Sequence, residues 1–132
     1  MSKGINKNTS IKTIKLIQEI GPAMNWNDRK NKQFIEAILA LKNTNEAKYF
    51  LRDIMTEKEI KEFANRLEAA SLLSKDVQYN AIIESIGLSS TTIARIAKWL
   101  NGPLGGYRLI LNRISKNHHD SFKLGKGLSL SS

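Results

Sequence analysis

The chain has 132 residues, 41% hydrophobic and 25% charged with a formal net charge of +9, which is the balance of a globular protein with one small domain and tails. It has no cysteine, which excludes disulfides and any cysteine-based metal site, and no apolar run approaches the ~18 residues that span a bilayer. The opening MSKGINKNTS lacks the apolar region of a signal peptide, so a cytoplasmic protein is expected.

The segment SIKTIKLIQEI places Ile11, Ile14, Ile17 and Ile20 three residues apart, a short amphipathic helix that Gly21-Pro22 ends. Trp26 follows, with core packing as its expected role ahead of anchoring the amino-terminal segment. Phe34, Ile35, Ile38, Leu39 and Leu41 mark the inner face of a second helix, and Tyr49, Phe50 and Ile54 that of a third. Thr56 followed by Glu59 has capping-box spacing, in which each side chain satisfies the other residue's free amide. It opens the longest helix, which runs to about Leu73 with Ile60, Phe63, Leu67 and Ala70 along one stripe. Val77 to Ser85 reads as a short helix, and after Asn101-Gly102-Pro103 a last helix carries Tyr107, Ile110, Leu111 and Ile114 on one face. Beyond Lys116 the chain reads as a disordered polar tail. No strand pattern competes, so the fold class is all-α.

The stretch NAIIESIGLSSTTIARIAKWL carries isoleucines on both sides of a glycine, interrupted by four hydroxyl residues, Ser89 to Thr92. Ile82, Ile83 and Ile86 form the buried side of the short helix, and Gly87 sits where a tight turn wants a positive φ. Ser89 or Ser90 caps the next helix, whose Ile93, Ile96 and Leu100 face inward. That is the layout of a helix-turn-helix, in which the amino-terminal residues of the second helix touch base edges in the major groove. Small hydroxyl residues there approach bases and phosphates closely. On pattern alone an ordinary helical corner with a serine cap fits equally well. The charge favours DNA, with solvated tails that aid solubility as the alternative: residues 1–30 carry a balance of +4, residues 31–86 −1, and residues 87–132 +6, a distribution that suits a polyanion.

The blocks FIEAILALKN, MTEKEI, NRLEAASLL, IGLSSTTIARIAKWLN and GGYRLILNRI, in this order and at compatible spacing, resemble the Trp-repressor superfamily, particularly its YerC/YecD-like branch. The resemblance assigns residues 31–115 to a multi-helix Trp-repressor-like domain, leaving a basic extension over 1–30 and a polar, basic tail over 116–132. It implies an intertwined homodimer in which each subunit completes the other's core, on a palindromic double-stranded DNA operator with half-sites ~34 Å apart. By position, Ser89, Ser90, Thr91 and Ala94 match the recognition-helix face, and Asn80 a DNA-facing place on the preceding helix. Spacing adds Thr92, Arg95 and Lys98 as phosphate or base contacts. In the family, a tryptophan ligand lies between two arginines, a threonine helps to hold it, and a glycine leaves it room. Thr56, Arg66 and Arg95 match the threonine and both arginines, but Ile96 stands in place of the glycine and Trp99 in place of a serine. The pocket is therefore read as vestigial, with no tryptophan corepressor. The Trp99 indole either stacks on the Arg95 guanidinium or packs in the dimer core.

Other chemistry is thin. His118 and His119 have only Asp120 beside them at ligand spacing, so no metal site is expected. Glu57, Glu59, Glu62 and Glu68 read as the solvated side and capping charge of one helix. No nucleophile–base pair, phosphate loop or cofactor motif is visible, so no cofactor and no enzyme activity are expected. The sequence thus points to a sequence-specific double-stranded DNA-binding transcriptional regulator, a repressor reading the major groove with residues 90–100. The alternative is a helical protein-interaction module that has lost DNA binding, with Ile11 to Ile20 docking on a partner helix.

Overall fold

The computed structural model describes residues 24–130, with side chains through His118. Among the described residues there are six α-helices and no strand: α1 (Arg29–Ala40), α2 (Thr44–Ile54), α3 (Glu57–Ser74), α4 (Tyr79–Ile86), α5 (Ser90–Leu100) and α6 (Gly106–Leu130). The fold is all-α, as the periodicity implies. The helix expected over residues 11–20 lies outside the described residues. No helix among the described residues is long and apolar enough to cross a membrane.

The chain divides into two compact units, residues 1–49 and 50–132, with the boundary within α2. The physical reason is burial, since neither α1 nor α2 holds a buried residue. In the first unit the Asp28 carboxylate caps α1 by accepting from the backbone N–H groups of Lys30 and Asn31. Asn43 and Glu46 satisfy each other at the start of α2: Asn43 Oδ1 accepts from the Glu46 N–H at 2.9 Å, and Asn43 Nδ2 donates to the Glu46 carboxylate at 2.8 Å. Trp26 is 57% exposed, so core packing within this chain, its expected role, is not what it does.

In the second unit α3 is the central strut, packed against α4, α5 and α6. It opens with the expected capping box, in which Thr56 Oγ1 accepts from the Glu59 N–H and the Glu59 carboxylate accepts from the Thr56 N–H at 2.8 Å. That backbone hydrogen bond, with the one from the Thr56 hydroxyl, holds the Glu59 carboxyl below its usual 4.5. Near its other end Ala69 and Ala70 are fully buried, and their small side chains let α4 and α5 approach closely. Ile82, Ile93 and Ile96 complete the core, with Leu72, Leu73, Val77, Ile83, Ile86, Leu88, Tyr107 and Leu111 packed around it.

The helix expected from Val77 begins at Tyr79 instead. Val77 belongs to the end of α3: its N–H donates to the Leu72 carbonyl, that of Asp76 donates to the Leu73 carbonyl, and Asp76 has φ 61. This is a Schellman motif with aspartate at the left-handed position where glycine is usual. The last helix also differs from expectation. α6 runs to Leu130, so residues 116–130, expected as a disordered tail, are helical. Once a helix is nucleated each further residue adds a hydrogen bond, and no proline follows Pro103 to stop it.

Candidate nucleic-acid interface

The turn between α4 and α5 forms as the glycine demands. Gly87 caps α4 at φ 81, with its N–H on the Ile83 carbonyl, and a Cβ placed there meets nothing within 4 Å. The position therefore requires glycine for its backbone angle alone, and the surface outside the turn stays open. Ser89, rather than Ser90, is the N-cap of α5: its Oγ accepts from the Thr92 N–H at 3.1 Å and lies 2.9 Å from the Thr92 hydroxyl.

From that cap onward α5 has two faces. Ile93, Ile96 and Leu100 are buried at 0%, 3% and 6% exposure, whereas Ser90, Thr91, Ala94, Arg95 and Lys98 are exposed. Asn80, on the first turn of α4, is also exposed. Thr92 is half-buried and its hydroxyl is engaged with the cap, which leaves it less free to reach a base than its neighbours. The exposed set combines two hydroxyl donors, a methyl group and two cations on one helix, the chemistry of base-edge and phosphate contacts.

Arg108 is a residue that the sequence reading missed. Its guanidinium donates to the carbonyls of Leu100 and, at 2.9 Å, of Gly102, so it caps the carboxyl end of α5 from α6. Gly105 makes room for it: at φ 70, a Cβ there would lie 3.1 Å from Arg108 Nη2. The Gly105-Gly106 pair was the available signal. The consequence is an α5 fixed at both ends, by Ser89 and by Arg108.

The vestigial pocket residues are dispersed in the single chain. Thr56 is committed to the capping box, and Arg66 donates to the Glu62 carboxylate at 2.8 Å with its guanidinium 5.4 Å from the Phe63 ring centroid. Ten positions, about 15 Å of helix rise, separate Thr56 from Arg66. Arg95 is exposed, while Ile96 fills the core beside Ala69 and Ala70. Of the two roles open to Trp99, the stack on Arg95 is not formed within one chain: among the described residues the cation–π pair is Arg66 over Phe63, and Trp99 is half-buried. Among the described residues no group of three or more acids and histidines is placed to hold a metal ion.

The model of the Trp repressor protein family matches residues 29–115. "Uncharacterized protein YerC" of Bacillus subtilis (strain 168) is 34% identical over 89 residues, 67% of this chain and 86% of that protein. Among solved structures, a TrpR-like protein from Eubacterium eligens ATCC 27750 is similar with a TM-score of 0.65 at 33% identity, over 68% of this chain and 93% of that one. A second, from Staphylococcus aureus, has the same TM-score of 0.65 at 28% identity, over 70% and 96% of the two chains.

Proposed function

The chain belongs to the Trp repressor family, a family of DNA-binding regulators, in its YerC-like branch, and from that premise we propose that it is a cytoplasmic, homodimeric repressor that occupies a palindromic double-stranded DNA operator. One observation carries the reading: the division of α5 into a buried face of Ile93, Ile96 and Leu100 and an open face of Ser90, Thr91, Ala94, Arg95 and Lys98, behind a turn whose Gly87 is exposed. The open face enters the major groove. Thr91 and Ser90 touch base edges, Arg95 and Lys98 hold phosphates or bases, and Asn80 with the Ser89–Thr92 cap lies against the backbone beside them.

The dimer is supported by what a single chain leaves unfinished. Ile54, Phe63, Leu109, Ile110 and Ile114 are all between 37% and 53% exposed. A second copy covers such a surface. Selection of bound sequences from a random duplex pool tests the proposal: a palindrome with half-sites about one helical turn apart is expected. Recovery of no sequence, with binding to a partner protein instead, would identify an interaction module.

Ligand control follows the same geometry. Ile96 occupies core volume, so an added indole ring overpacks it. DNA binding independent of free tryptophan is the expected outcome. Micromolar binding of L-tryptophan by calorimetry, together with a gain in operator affinity, would overturn it.

A further inference from the structure

We propose that Arg108 is a positioning residue for DNA recognition: reaching back from α6, it sets the direction of α5 and with it the sequence discrimination of the operator reading proposed above, on which this role rests. It acts through α5 and not by touching DNA. The last carbonyls of a helix have no partner within it, and those of α5 find theirs in the chain that follows. The Ala97 carbonyl accepts from the backbone and side-chain amides of Asn101 at 3.0 and 2.9 Å, and the Trp99 carbonyl from the Gly102 N–H at 3.2 Å. The Leu100 carbonyl receives a side chain instead, Nη1 of Arg108, while Nη2 of the same guanidinium donates to the Gly102 carbonyl at 2.9 Å. A planar fork thus closes on two carbonyls at once, at the helix end where a cation is favoured.

The loop is shaped around that fork. At Gly102 a Cβ would lie 3.1 Å from the Lys98 carbonyl oxygen and 3.3 Å from that of Trp99, so the missing side chain is what lets the chain fold back this closely on α5. At Gly105 it would press on the guanidinium itself. The other anchor of the clamp is α6, whose Tyr107 and Leu111 pack on the core, one before and one after Arg108 in sequence. Arg108 is therefore carried on a helix that is already docked, and it holds the end of α5 to that helix. Arg95 and Lys98 lie on the last two turns before the clamp, and Thr91 on the first turn of the same helix. A hydrogen bond to a base edge weakens steeply with angle, whereas a cation beside a phosphate tolerates a looser helix. Freeing the end of α5 should thus impair the reading of sequence more than the attraction to DNA.

Arg108→Lys keeps the charge but cannot span both carbonyls, so it separates positioning from phosphate binding. The native full chain, Arg108→Lys and Arg108→Ala are titrated, well below their melting points, with the duplex that the native protein selects from a random pool and with a scrambled duplex of the same composition. Both variants are expected to lose about tenfold in the ratio of the two affinities, the scale of one impaired base contact, while affinity for the scrambled duplex and its salt slope change little. Hydrogen exchange without DNA should be faster at the amides of Asn101 and Gly102 in both variants, with Ile93 and Ile96 still protected. If Arg108→Ala does not fold, Arg108→Lys carries the test alone. A ratio that lysine restores, or a shallower salt slope in Arg108→Ala, would make the residue a phosphate contact and overturn the proposal. A lowered melting point with a native ratio would overturn it too, leaving Arg108 a purely structural residue. A native chain that selects no duplex would instead sink the DNA reading, and this role with it, even where exchange shows the clamp to be present.

Discussion

Thr91 and Ile93 stand two positions apart on α5, yet one is exposed and the other fully buried. A helix turns 100° per residue, so this spacing carries a side chain from the open face to the core face. Substitutions at the two sites therefore separate binding from folding. Thr91→Ala is expected to cost ~1–3 kcal/mol of specific DNA affinity, the worth of a good base contact, and to leave the thermal midpoint nearly unchanged. Ile93→Ala is expected to destabilise the domain by ~2–5 kcal/mol as a core truncation. DNA titrations and thermal melts read the two effects independently, and exchanged phenotypes would reverse the orientation of α5. The inward and outward positions of this helix were legible in the sequence because apolar residues at i, i+3 and i+7 leave little choice of face. Which hydroxyl served the cap was not, since Ser89 and Ser90 are chemically identical and only the backbone angles at Ser89 select it.

At the scale of the element, stability resides in the ends of helices, and two ends make opposite demands. Asp76 holds φ 61 at the end of α3, where an L side chain crowds the following carbonyl. Asp76→Gly keeps both Schellman hydrogen bonds and relieves that crowding, so a gain of up to about 1 kcal/mol in chemical denaturation is expected. At the other end of α3, the Glu59 carboxylate is held below 4.5 by hydrogen bonds from Thr56. A depressed folded value means that this stabilisation is complete above 4.5 and is lost as pH falls through the lower folded value. Glu59→Gln retains a capping side chain without the charge. Stability measured from neutral pH down to about 3 should therefore fall less steeply in the variant than in the native chain, and parallel curves would remove the role given to Glu59. The capping box was readable because threonine and glutamate three residues apart have a residue-type signature. Asp76 carries none, and Arg108 only the glycine pair beside it: an aspartate in a left-handed turn looks like any loop acid, and an arginine whose acceptors are backbone carbonyls looks like a solvated cation. The Asp76 turn is what moves the start of α4 from the expected Val77 to Tyr79.

For the whole molecule, the sequence revealed which helix faces are apolar but not what covers them, since periodicity measures amphipathicity and says nothing of the partner surface. The faces of α1, α2 and α6 that read as inner are outward in one chain, and the proposed second copy is what covers such faces. Charge is different, because its effect reaches across the molecule without a packed interface. The balance of +4 over residues 1–30 and +6 over residues 87–132 brackets a nearly neutral middle. Cations that neutralise phosphates release condensed counterions, so each contact steepens the fall of affinity with salt by roughly 0.9 on log–log axes. Deleting residues 1–10 removes Lys3 and Lys7 while leaving the segment from Ile11 intact. Affinity should then drop for operator and random duplex alike, and the salt slope should become shallower by up to roughly 1.8 per chain. Thr91→Ala makes the counter-case, since a lost base contact lowers discrimination between sequences at an unchanged slope. If the truncated protein keeps the full slope, Lys3 and Lys7 do not touch the phosphates. The electrostatic work then falls to Arg95, Lys98 and the basic residues of α6.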